Sequence, residues 1–549
     1  MSEEYAGKMA AAPFDRSDAD FIMRTSDGVE FRVHRLILSM ASSVFEGMFS
    51  IPKPSALLSD PNIPDISIPE DSETIDLYLR ICYPLIDPEV PTLLLLRKVV
   101  TAGFKYDAPM VVHAMKRELR QPRFMDKDPL HVFVIACLWE WEEEAKVAAE
   151  NVALAGIMVG LFPELLDEIS AGAYYRLQKL GRTRRRSKNK ASEPRHSVNF
   201  NGILPLCRRL PLREPPVRNA IPFTPQYPFT SIDGADVILR TTDSVDFFVH
   251  RTIINFASPT FFDTLVQERT MSEERDQDVE HRAVHLVSED SDVLDVLLRM
   301  CYPVEHPHIA SAEVYLDVAF AAHRYQFRKV EQTLLKSWSE YSKGAPLRFY
   351  FAAVQCGWQA EAKACALQLV TTLSPGDMDN AYVPEMEAAS SVPYRHLISY
   401  AQACRKAAKT DFQLSDLPGR RCPFPSNCHI RYPTTVSTST PPFWLSSHLN
   451  AVKIDLATKS STDILTSHIK LATILLTTMS DGTSCSETMM SPIESPACSA
   501  LAQAPTTVAS PSPLRCTRDS KVEWIIDLLQ KYAAAVDKAV LEVELEMVV

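Results

Sequence analysis

Apolar and polar positions run through the same sequence of periods twice along this chain. Phe21, Ile22 and Met23 form a short apolar run, Ser26-Asp27-Gly28 supplies turn chemistry, and Val29, Phe31 and Val33 then alternate with polar neighbours. A period of two on either side of a polar turn predicts a β-hairpin with one buried face. The same design recurs 216 positions later in Val237–Arg240, Asp243-Ser244, and Val245, Phe247 and Val249. In both copies the period then lengthens, predicting short helices over 36–40 and 43–49, matched by 252–256 and 259–265.

Brief apolar strands are expected at 66–68 and 284–286. Glu70-Asp71-Ser72 and Glu289-Asp290-Ser291 follow as acidic capping residues for a helix. That helix closes at Cys82-Tyr83-Pro84 and Cys301-Tyr302-Pro303, where proline removes a donor and restricts the residue before it. Helices over 93–104 and 312–323 come next. Trp139 and Trp141, matched by Trp358, are expected to pack on helical segments beyond them. Tyr174-Tyr175-Arg176 and Pro393-Tyr394-Arg395 mark a final helix in each copy.

A repeat of this length is a duplicated domain, since solenoid units have periods of about 20–50 residues. The expected division is a first domain over 17–118 with a helical extension over 119–180, and a second over 231–338 with an extension over 339–411. A basic, proline-bearing linker over 181–230, with no fixed geometry, separates them. Residues 412–520 are rich in Ser, Thr and Pro and are expected to be mostly irregular. Over 521–549 the helical period returns in Ile525, Leu529, Tyr532, Val536 and Val540, with Ser520 and Glu523 as a capping box.

Composition narrows the function classes. The chain has 549 residues and a net charge of −12, which argues against a general nucleic-acid binder. Its 12 cysteines are scattered, several in apolar helical contexts, as suits free thiols in a reducing compartment. The N-terminus lacks the pattern of a signal peptide, and no apolar stretch approaches the ~20 residues that span a bilayer. An intracellular protein, cytoplasmic or nuclear, is expected, without membrane association. Nucleophile-elbow, phosphate-loop, dinucleotide and His-Glu-x-x-His motifs are all missing, so no enzyme, cofactor or metal is expected.

The ordered pattern of hairpin, His34-Arg35, paired short helices, acidic cap and Tyr83-Pro84 resembles the BTB/POZ domain, in the form common among basidiomycete fungi. The stretch from His34 through Leu36, Ser39, Phe45 and Met48 carries the likeness most fully. His250-Arg251, Ala257-Ser258 and Phe261-Phe262 carry it in the second copy. The resemblance implies an α+β fold, a small sheet packed on a helical cluster, and a role in binding other proteins. It also implies self-association, or pairing of the two domains within one chain.

Asp20 with Arg35, and Asp236 with Arg251, match positions that form a charged pocket in some repressor-type members. The plainer alternative is an ion pair that fixes the hairpin on the helices. Members that serve cullin-type ubiquitin ligases carry a hydrophobic-x-Glu element after the second short helix, and Met271-Ser272-Glu273 is the match here. Arg184, Arg185, Arg186 and Lys188 form a basic run of the nuclear-localisation type, or simply a solvated linker. Cys422, Cys428 and His429 have a spacing too wide for the common zinc motifs. The three functions in order are an interaction scaffold, a cullin adaptor and a nuclear corepressor-recruiting protein.

Overall fold

A computed structural model describes residues 8–51, 64–86, 88–157, 163–188, 203, 205–207, 223–230, 234–269, 283–309, 311–408 and 518–545. The chain divides into two compact units, residues 1–213 with 386–392, and residues 214–385 with 393–549.

The first unit is built on a mixed four-stranded sheet. Strands β1 (Lys8–Met9), β2 (Phe21–Arg24), β3 (Val29–Val33) and β4 (Asp65–Ser67) lie in the order β1-β3-β2-β4. β2 and β3 are antiparallel with Phe21 opposite Val33, so Phe21, Met23, Val29, Phe31 and Val33 share the buried face that their alternation predicts. Gly28 turns the hairpin with φ of 80°, a conformation that costs other residues more. Two short helices follow, α1 (Arg35–Ala41) and α2 (Ser43–Ser50). Helix α3 (Ser72–Cys82) is capped twice, by Asp71 accepting from the Thr74 amide at 2.9 Å and by Asp27 of the hairpin turn accepting from the Ser72 amide at 3.0 Å.

The helical part of this unit continues with α4 (Leu93–Lys105), α5 (Pro109–Leu119), α6 (Pro122–Met125), α7 (Pro129–Leu138), α8 (Glu142–Ala155), α9 (Pro163–Leu166) and α10 (Ala171–Lys188). In α7 the residues from Val132 to Ala136 are all buried, the signature of a helix enclosed by its neighbours.

The second unit repeats the plan with three strands, β5 (Val237–Arg240), β6 (Asp246–Val249) and β7 (Ala283–Leu286), in the order β6-β5-β7. Its helices are α11 (Arg251–Ala257), α12 (Phe261–Arg269), α13 (Ser291–Cys301), α14 (Ala312–Arg324), α15 (Arg328–Tyr341), α16 (Pro346–Gln355), α17 (Gln359–Thr372), α18 (Pro375–Asn380), α19 (Ser391–Ala408) and α20 (Arg518–Leu541). The first two residues of α19 belong to the other unit. Trp338 anchors an aromatic core, with ring centroids 4.8 Å from Phe349 and 5.1 Å from Trp358.

Four details differ from the sequence expectation. The residues before 17 are part of the fold: Phe14 is fully buried, its carbonyl accepts from the Arg32 amide at 2.9 Å, and Phe229 plays the same part toward Phe248. The stretch expected as a linker contributes structure, because α10 runs to Lys188 and Ile203, Leu206 and Cys207 are buried. The Glu142 carboxylate accepts from the Leu206 and Cys207 amides at 2.6 and 3.0 Å, which holds that segment on α8. Trp139 and Trp141 flank a tight turn between α7 and α8, centred on Glu140 at φ of 54°, with Gly357 at 70° in the second copy. Finally, α20 begins at Arg518, so Ser520 lies inside its first turn rather than capping it; Tyr532, Val536 and Val540 are buried as their spacing predicts.

Candidate protein-interaction face

The start of α1 is where the repeated sequence motifs meet. The Asp20 carboxylate accepts from the Arg35 backbone amide at 2.8 Å, and Asp236 does the same for Arg251 at 2.7 Å. Each aspartate thus places negative charge at the positive end of a helix whose first amides lack partners. The guanidinium groups turn elsewhere. Arg35 lies over the rings of Phe21 and Phe49, 5.6 and 5.5 Å from their centroids, and Arg251 lies 4.2 Å from that of Phe262. Among the described residues, neither aspartate forms an ion pair with its arginine. The two pairs expected as charged pockets act here as helix caps beside cation–π contacts.

His34 and His250 link distant motifs. The His34 amide donates to the Tyr83 hydroxyl at 2.8 Å and its Nδ1 lies 3.2 Å from the same oxygen; His250 and Tyr302 repeat this at 2.9 and 3.2 Å. Burial pushes both tyrosine hydroxyls up to about 12. The His-Arg and Tyr-Pro motifs are therefore two halves of one contact. A second shared brace fixes α2: the Ser42 hydroxyl donates to the Tyr106 carbonyl, and the Tyr106 hydroxyl donates to Glu70 at 2.5 Å. Ser258, Tyr325 and Glu289 reproduce it, the last bond at 2.7 Å.

On that rigid base the outward side chains differ between copies. In the first, Leu36 and Met40, one turn apart on α1, are 71% and 82% exposed, with Val44 and Ile51 at 44% and 68%. In the second, Thr252 and Thr260 replace Leu36 and Val44, and Phe256, in the place of Met40, is 88% exposed. Exposed apolar side chains grouped on one face are a means of docking other proteins.

A family model of the BTB/POZ domain matches residues 13–122 and 228–340. The chain carries two BTB/POZ domains. Both matches open on a Pro-Phe pair, Pro13-Phe14 and Pro228-Phe229, a few residues before the boundaries expected from sequence. That dipeptide, repeated 215 positions apart, was the available signal. No curated protein matches the chain. BTB/POZ domains are protein–protein interaction modules and are generally non-catalytic.

Arg184, Arg185, Arg186 and Lys188 fall on the last turns of α10. Met271 and Glu273, and likewise Cys422, Cys428 and His429, lie outside the described residues. Cys404 is buried on α19 as a free thiol. Among the described residues no cluster of three or more His, Cys, Asp or Glu could hold a metal ion, and no helix is long and apolar enough to cross a membrane.

Proposed function

We propose that the chain is a non-catalytic scaffold whose first BTB/POZ domain recruits or self-associates through the exposed α1–α2 side chains, while its second presents a different, more polar face. The observation that carries this reading is the exposure of Leu36, Met40, Val44 and Ile51 on α1 and α2. Two charges in place of Leu36 and Met40 would oppose apolar burial without touching the core. Light scattering and affinity capture with the full chain carrying Leu36→Lys and Met40→Lys test the proposal. Loss of self-association or of captured partners is expected; an unchanged mass and partner set, with the fold intact, overturns it.

The cullin-adaptor reading rests on Met271-Ser272-Glu273 alone. Cullin capture that disappears on Glu273→Lys would support it. The nuclear reading requires Arg184–Arg186 to direct localisation, and an unchanged nuclear pool after their neutralisation removes it.

A further inference from the structure

The first unit is discontinuous in sequence, closed by residues 386–392 from far along the chain. Ser170 and Ser390 form an antiparallel bridge: the Ala171 amide donates to the Ala389 carbonyl at 2.9 Å and the Ser391 amide to the Ile169 carbonyl at 2.8 Å. The Ser391 hydroxyl donates to the Leu166 carbonyl at 2.7 Å. Beside this short ladder, the Glu387 carboxylate is gripped by both terminal nitrogens of Arg176, the Nη2 bond being 3.2 Å, while Arg176 Nε donates to the Leu206 carbonyl at 3.0 Å. Arg176 and Glu387 are only 4% and 2% exposed.

Gly172 makes room for this carboxylate. Its backbone does not need glycine, since its φ is not positive, yet a Cβ there would come within 2.6 Å of Glu387 Oε2 and 2.5 Å of Cδ. By alignment of Tyr175-Arg176 with Tyr394-Arg395, Ser391 stands where Gly172 does, and Glu168 where Glu387 does. Glu168 instead pairs with Arg97 at 2.5 Å. Among the described residues the cradle is seen in the first copy.

We infer that Leu166–Arg176, with Leu206, form a peptide-acceptor groove that reads an extended segment of the form Glu-x-Ala-x-Ser, and that Met386–Val392 occupies it in cis. Backbone pairing supplies the ladder, Arg176 selects the acidic side chain, and the bare Cα of Gly172 sets how closely that carboxylate seats. The tethered segment outcompetes a free peptide through its effective concentration, so the groove opens to a partner only when the cis segment is weakened. This site is separate from the α1–α2 face and stands whether or not that face binds.

The test uses the full chain and a labelled peptide spanning residues 383–394. Wild type is expected to bind it weakly, and Glu387→Gln about tenfold or more tightly, because removing one partner of a buried pair releases the cis segment. Adding Arg176→Gln to that variant, or replacing the peptide's glutamate by glutamine, is expected to abolish the gain. Gly172→Ala keeps both charges and should speed amide exchange at Ala171 and Ser391 without any gain in peptide binding. Equal peptide affinity for wild type and folded Glu387→Gln, or binding that survives Arg176→Gln, overturns the inference. If Glu387→Gln does not fold, unchanged exchange at Ser391 in Gly172→Ala overturns it independently.

Discussion

Replacing Tyr302 by Phe isolates the contact that joins the two repeated motifs. The ring is 4% exposed and meets Phe229 edge-on at 5.0 Å, so its packing survives the change and only the hydroxyl is lost. That oxygen accepts the His250 amide at 2.9 Å and sits 3.2 Å from Nδ1. Leaving such a buried donor unpaired costs about 1–3 kcal/mol. Over the roughly 190 described residues of this unit, at about 2–4 °C per kcal/mol, the melting temperature should fall by about 2–12 °C. The pH dependence gives a second readout. Burial raises the hydroxyl from 10.0 to about 12 against the opposing pull of the His250 amide, so the stability linked to its neutral form is complete below pH 10 and is lost as pH rises through 12. Urea unfolding from pH 8 to 11, with amide exchange at His250, measures both. Tyr227→Phe, at a ring 78% exposed, is the control and should stay within about 0.5 kcal/mol. A Tyr302→Phe variant as stable as that control, with unchanged His250 exchange, would refute the claim that this contact couples the motifs.

Glu140→Gly should stabilise the first unit by about 0.5–1 kcal/mol, because glycine relieves a left-handed residue at a modest entropic cost. Gly357→Ala should destabilise the second by about 1 kcal/mol through φ alone, since nothing lies within 4 Å of an added Cβ; calorimetry that shows both variants neutral removes the strain argument. Asp71 is held down at about 2, chiefly by its hydrogen bond from the Lys98 ammonium and then by Thr74. Its folded value lies below the ordinary 3.8, so its stabilisation is present above about pH 4 and is lost as pH falls toward 2. Asp71→Asn should flatten the fall in urea midpoint over that range, and an unaltered acid profile would count against it.

The hairpins, the paired short helices and the Asp71 cap of α3 were legible in the chain because each rests on local chemistry, whereas the Asp290 side chain does not cap α13 and Asp243 of the hairpin turn accepts from the Ser291 amide at 3.0 Å instead. Alternation fixes a buried face, and a proline beyond the first turn bars a helix from continuing, as Pro84 and Pro303 do after α3 and α13. Tyr532, Val536 and Val540 show the same on α20, although its start was missed because Ser520 matches a capping residue that the helix overruns. Phe14 was missed because a lone aromatic in a polar stretch carries no period; only its twin, Phe229, marks it. The enclosed α7 gave no amphipathic signal, since it is apolar on every side.

The sites divide in the same way. Sequence alone picked out Asp20 and Arg35 as neighbours in a motif, but only the folded backbone decided that the aspartate caps α1 while the guanidinium lies over aromatic rings. Nothing in a linear reading ties Arg176 to Glu387, because residues so far apart share no period and no local propensity. Duplication and element type are written in short-range patterns, and the chain determined them by itself. Which carboxylate meets which cation depends on how segments distant in sequence are brought together, and tertiary structure alone decided that.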